Sequence, residues 1–258
     1  MINNPIGTLS LSKREILRFL SVASQTIFPP IVSATLSMYI FGVAIGTRVD
    51  LQSAGLTMPY LHFIIPGLMT MYLISSSYEN TSSSLFIARW HNHIQEVLLS
   101  PLSYFEMVLG LLAGGVARGI IVAMSVFLSA SFFTHLPILN PLLLIYFIIT
   151  IAIIFSCAGM MAALWAEDFG MLNVWNTYAI MPLVFLGGIF YPLHILPKIL
   201  QLFTAFNPMF YLVNGLRYSV TGFADVSIFP CIAFSFVMAG ISFFSTVYLF
   251  KIGYKLRS

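Results

Sequence analysis

From Pro141 to Trp165 the chain runs for 25 residues without one Asp, Glu, Lys or Arg. An α-helix needs roughly 20 such residues to cross the roughly 30 Å hydrocarbon core of a bilayer, and a helix satisfies its own backbone polar groups on the way. Apolar runs of comparable reach occupy residues 31–46, 61–85, 104–133, 173–191 and 228–250. Of the 258 residues, 59% are hydrophobic and 7% charged, and the mean hydropathy is +0.97. A soluble core of this length could not hide that much apolar surface. The sequence therefore predicts an all-α integral membrane protein of one domain with six transmembrane helices. A net charge of +3, scattered along the chain, offers no basic patch for nucleic acid.

The segments between the runs are more informative than the runs. Residues 1–30 read as an interfacial helix, with Ser12 and Glu15 in capping-box spacing, Ile16, Leu17, Leu20 and Ala23 on one face, and Lys13, Arg14 and Arg18 on another. Those charges stand where the apolar core of a cleavable signal would be needed, so the first span is expected to act as its own targeting signal. Pro29 and Pro30 are expected to turn the chain into the bilayer. Residues 47–60 read as a short polar loop.

The longest polar interruption, ARWHNHIQEVLLSPLSYFEMVLG from Ala88 to Gly110, predicts an amphipathic helix over 87–99. One stripe carries Ile87, Trp90, Ile94 and Val97, and the other carries Arg89, Asn92, His93 and Glu96. Pro101 ends it, and Ser103 with Glu106 forms a capping box that starts the next span near Tyr104. Either a plain connecting loop or a docking surface accounts for this pattern.

Residues 192–221 are apolar yet broken by Pro192, Pro197 and Pro208, so no part spans. Two short re-entrant helices are expected, the second starting at Asn207–Pro208 and carrying Asn214, Arg217 and Thr221 on one stripe. Such backbone is tolerated at membrane depth only where protein or a watery cavity covers it.

Two charges fall inside predicted spans, Glu79 and Arg118, and each needs a partner or water. They read either as a structural ion pair or as part of a transport path. Their predicted depths differ, Arg118 lying about 21 Å of helix rise beyond Tyr104 and Glu79 about 15 Å from Arg89. His91 and His93 make a poor metal site without a third ligand, no nucleophile has a visible base, and Cys157 and Cys231 lie in apolar surroundings. No metal and no catalytic residue are expected on this chain. Seven Lys or Arg on the side of the termini, against Arg48, Lys198 and Arg217 on the other, place both ends in the cytoplasm.

Five segments carry a family likeness: FIIPGLM at 63–69, IQEVLLSPLS at 94–103, GGVARG at 114–119, FLGGIFYPLHILP at 185–197 and NPMFYLVNGLRY at 207–218. On these the chain resembles the ABC-2 type permeases, membrane subunits of ATP-driven exporters. The resemblance implies a bacterial inner-membrane export permease that pairs with a second copy of itself and with two copies of a separate ATPase, which would bind ATP and Mg. It implies glycan, lipid-linked or drug-like cargo. It also makes residues 87–99 a coupling helix seated in the ATPase and turns the broken helices toward the periplasm. Glu79 departs from the small or amide residues usual at its position in the family. The competing reading is an ion- or proton-coupled carrier using Glu79 and Arg118, and a further one is a non-transporting membrane scaffold.

Overall fold

In a computed structural model, which describes residues 4–45 and 58–255, every regular element is helical. Three helices are long and apolar enough to cross a membrane, Tyr104–Ala130, Pro141–Trp165 and Ile228–Ile252. A fourth arises if the bent pair Pro5–Ser21 and Ala23–Gly42 is one span, its halves meeting at 78°.

The N-terminal helix α1 (Pro5–Ser21) begins earlier than its charge pattern suggests. Asn4 caps it by accepting from Gly7 N at 3.0 Å, and Pro5 fills the first position, where a missing N–H costs nothing. The expected capping box at Ser12 and Glu15 does not form: Ser12 donates to Thr8 O within the helix, and Glu15 is buried. The bend falls at Val22, after which α2 (Ala23–Thr26) and α3 (Phe28–Ser37) lead into a π-helical stretch at Met38–Ile45. Pro29 and Pro30 are thus not the interruption; they sit in the first turn of α3, where proline suits a helix. The loop expected at 47–60 lies mostly outside the described residues.

Helix α4 (Tyr60–Trp90) is the centre of the fold, packed chiefly against α6 (Tyr104–Ala130) and α7 (Pro141–Trp165). Its buried face is chiefly apolar from Phe63 to Ile74 and turns small and polar beyond, with Ser76, Ser77, Asn80, Thr81 and Ser84 facing inward. Glycines face it. A Cβ on Gly159 of α7 would run into Tyr78 O and Thr81 Oγ1, and one on Gly119 of α6 into Ser77 Oγ. Close backbone approach of this kind lets hydroxyls such as Thr81 Oγ1 reach Ser156 O, 2.8 Å away, across the helix pair.

Two of the expected elements are redrawn. The helix predicted over 87–99 is not continuous, because α4 runs on to Trp90, the chain turns through His91–His93 with Asn92 at φ 59°, and a separate α5 covers only Ile94–Leu99. Ile87 and Trp90 are exposed while Ile94 and Val97 are buried, so the four form no single stripe. The run expected to span 173–191 is α8 (Phe169–Trp175), a π-helical turn at Asn176–Ile180 and α9 (Met181–Phe185), ending short of Gly188 at φ 78°. The third run stops at Ala130 rather than 133. Beyond lie α10 (Lys198–Ala205), α11 (Pro208–Thr221) and the long α12 (Ile228–Ile252).

Candidate coupling surface, charge pair and buried arginine

The turn joining α4 to α6 is held from three sides. Ser103 caps α6 by accepting from Glu106 N, while Glu106 Oε2 accepts from Ser103 N at 2.8 Å, which is the expected capping box. Glu106 Oε1 also accepts from Asn4 N at 2.6 Å, tying the start of α1 to the start of α6. The hydrogen bonds from Ser103 and Asn4 stabilise the ionised carboxylate, the charge favoured at a helix N-terminus.

Arg89 shares its predicted polar stripe with His93 and Glu96, but its guanidinium turns inward. Nη1 donates to the carbonyls of Ala163, Leu164 and Ala166, the unpaired acceptors at the end of α7. Trp90 stacks on Phe86 and leans on Phe169 of α8. Outward on this turn are His91, Asn92, His93, Gln95, Glu96 and Leu99, with His93 and Glu96 3.5 Å apart and Leu99 at 86% exposure. Ile94 and Val97 anchor α5 beneath them. Beside it a cavity of about 310 Å³ separates α5 from α1, with Leu11 and Arg14 on one wall and Glu96 and Val97 on the other.

Glu79 and Arg118 meet. Arg118 Nη2 lies 3.2 Å from Glu79 Oε2 and 3.5 Å from Thr26 O at the elbow before α3. The difference in depth inferred from helix rise does not keep them apart. The pair is unequal, with the arginine side chain 9% exposed and the carboxylate 46%. A neighbouring cluster escaped the sequence reading. Glu15, 1% exposed, holds Arg14 at 3.0 Å and Arg18 at 3.2 Å and accepts from Ser84 Oγ, while Arg18 reaches Asn80 O and Oδ1. The signal was present in the Glu15–Arg18 spacing of three residues, which places the two side by side on a helix.

At the far end of α4, Arg217 of α11 is fully buried. Nε donates to Phe63 O at 3.2 Å, Nη2 to Gly188 O at 2.6 Å, and the guanidinium lies 3.8 Å over the Phe63 ring. Asp225 Oδ2 is 3.7 Å from Nη1, and Asp225 Oδ1 accepts from Leu193 N. Asn214 Oδ1 accepts from Asp225 N at 2.9 Å, so two of the three members of the predicted Asn214, Arg217 and Thr221 stripe engage this acid, which the sequence did not single out. The three prolines of this region each start or shape a local turn. Pro192 is extended before a 3₁₀ turn, Pro197 precedes α10, and Pro208 opens α11 behind an Asn207 cap. Among the described residues, no three His, Cys, Asp or Glu gather closely enough to share a metal.

A family model for the ABC-2 type transporter matches residues 7–221, a stretch that opens in α1 and closes at the end of α11. The chain belongs to the ABC-2 type transporter family. It is similar to the inner membrane transport permease YadH of Escherichia coli K12, at 34% identity over 222 residues, covering 86% of this chain and 85% of that one. It is also similar to nodulation protein J of Azorhizobium caulinodans, at 20% identity with 86% of each chain covered, and to that of Sinorhizobium fredii, at 20% with 83% and 81%. As an ABC-2 family member the protein is a transmembrane component of a transport system. The turn at 91–99, the Glu79–Arg118 pair and Arg217 all fall inside the matched region.

Proposed function

We propose that this chain is the permease subunit of an ATP-driven exporter of the bacterial inner membrane, working as a pair with two copies of a separate ATPase. In this reading α1 lies on the cytoplasmic surface, and the six spans are α3 with its π-helical continuation, α4, α6, α7, α8 to α9, and α12. Helices α10 and α11 dip into the periplasmic leaflet, and both termini are cytoplasmic, in keeping with the excess of Lys and Arg on that side. ATP and Mg belong to the partner, and the cargo is a glycan, a lipid-linked sugar or a drug-like molecule. The similarity to YadH, whose name is that of an inner membrane transport permease, supports the location.

The observation that carries the reading is the build of the turn at 91–99. Glu106 pins its base, Arg89 clamps α4 to the end of α7, and Ile94 and Val97 seat α5, with His93, Glu96 and Leu99 among the residues left outward. A displacement imposed there passes directly into α4, α6 and α7 rather than being absorbed by a slack loop. The coupling contact is therefore narrower than residues 87–99, with Arg89 and Trp90 serving as its support.

Glu96→Lys tests this. The variant should insert and pair normally, since Glu96 is exposed, yet copurify with less ATPase and show lower cargo-stimulated ATP hydrolysis, a loss of about 2 kcal/mol or more if the contact is desolvated. An ion-coupled carrier built on Glu79 and Arg118 would lose nothing. Unchanged association with unchanged transport would remove the coupling role from this turn.

A further inference from the structure

Helix α12 packs chiefly against α7 and meets α6 lightly. Its buried residues, Cys231, Ser235, Ser242, Thr246 and Phe250, follow one stripe, while Phe236, Phe244 and Tyr248 stand exposed on the outer side. Near the start of α6 the two helices touch through Phe105, set edge to face on Phe243 at 5.2 Å. Past that contact they part around a cavity of about 620 Å³, with Leu102, Ser103, Tyr104 and Phe105 on one wall and Val247 and Lys251 on the other.

The lining is mostly apolar, and Lys251 is its one charged group. Lys251 lies eight residues beyond Phe243, about 12 Å of helix rise, so the charge marks one end of the cavity and the aromatic pair the other. Among the described residues no carboxylate stands within ion-pair distance of this lysine. Glu106, at the start of α6, already accepts from Ser103 and Asn4. Tyr104, 45% exposed, is of the type that settles at the headgroup level of a bilayer. An ammonium without a counterion at the end of an apolar trough fits a molecule with an anionic head and a hydrocarbon tail. The apolar face of a second copy would leave the charge unpaired, and a zwitterionic lipid brings a cation of its own beside the phosphate.

We infer that this cavity holds an anionic phospholipid, its phosphate beside Lys251 and the upper part of an acyl chain along Val247 and Phe105. The six-span reading decides which leaflet supplies the lipid, the cytoplasmic one, but not whether it binds. Pro101 and Leu102 line this cavity and also the one between α1 and α5, so the lipid stands directly behind the turn at 91–99.

Binding is read by native mass spectrometry of the full chain, stripped of lipid and offered equal amounts of phosphatidylglycerol and phosphatidylethanolamine with the same acyl chains. One phosphatidylglycerol should be retained per chain, about fivefold in preference to phosphatidylethanolamine, the worth of one lysine beside an anionic headgroup. Lys251→Gln should erase the preference and Lys251→Arg should keep it, while Lys13→Gln, at an exposed lysine of α1, should leave it unchanged. Val247→Trp, which fills the cavity, should cost retention of both lipids. The Lys251 arms stand whether or not that variant folds. Equal retention of the two lipids by the unaltered chain overturns the site, as does a preference that survives Lys251→Gln. Absence of retained lipid overturns it too, and disulfide cross-linking of Tyr104→Cys between copies would then name a second copy as the occupant. Retention is measured without ATPase or cargo, so failure of the Glu96→Lys test sinks the export reading and leaves the site standing.

Discussion

Arg217 is the residue this fold works hardest to keep in place. It is fully buried among backbone carbonyls from α4 and the Gly188 turn, with Asp225 at 3.7 Å. Removing one partner of a buried pair leaves the other uncompensated, typically at about 3 to 5 kcal/mol. Arg217→Met should therefore lower thermal stability or yield sharply, and Arg217→Met with Asp225→Leu should recover part of the loss. Equal damage from the single and double changes would mean that the carbonyl contacts, not the acid, hold the arginine. The Glu79–Arg118 pair invites a directional forecast, because its members differ in exposure, 46% against 9%. Glu79→Gln strands a cation buried within the chain, while Arg118→Gln strands a carboxylate at the chain's surface. Glu79→Gln should be the more damaging single change, and the double Gln variant should lose less than the sum of the two, with a coupling of about 0.5 to 3 kcal/mol in thermal unfolding. Strict additivity would mean that the two side chains do not interact.

At the scale of elements, the close seam along α4 decides stability. Even the methyl of Gly159→Ala meets Tyr78 O and Thr81 Oγ1, so α4 and α7 must separate. A loss of about 1 to 3 kcal/mol is expected, read as a lower unfolding temperature, whereas Gly240→Ala in α12, with nothing within 4 Å of the added carbon, should be silent. If both changes are silent, the seam is loose. The sequence anticipated α7 at its observed limits because Asn140–Pro141 and Trp165 bound an unbroken apolar run. It anticipated the start of α6 because a capping box is a local device. It missed where α4 ends, since periodicity does not register that Arg89 is drawn to the carbonyls of α7 or that Asn92 takes a left-handed turn. The end of α9 was lost for a related reason: hydropathy stays high through Tyr191, and only the glycine pair at Gly187–Gly188 hinted at the turn. The burial of Glu15 escaped because Ser84, which donates to it, is distant in sequence, although its spacing to Arg18 was local, and Asp225 escaped because it sits in the loop after α11 rather than on a helix stripe.

For the whole molecule, the proposed six-span path makes a simple forecast. A cysteine at Lys198 should react with an impermeant thiol reagent added outside intact cells, and one at Asn92 only after permeabilisation. Cys157 and Cys231 are free and buried and should give little background. Protection of Lys198→Cys in intact cells, with labelling after lysis, would overturn the path. The tie between Asn4 and Glu106 carries a different consequence, one of timing. The two residues are 102 positions apart, and a ribosome adding about 5 to 20 residues each second needs about 5 to 20 s to bridge that interval. Throughout it the opening amphipathic helix has neither its clamp nor the buried seat that α6 supplies, and must wait with its apolar face against lipid. Helix α1 therefore reaches its final seat only once α6 has been made, and its affinity for the membrane surface has to hold it there in the meantime.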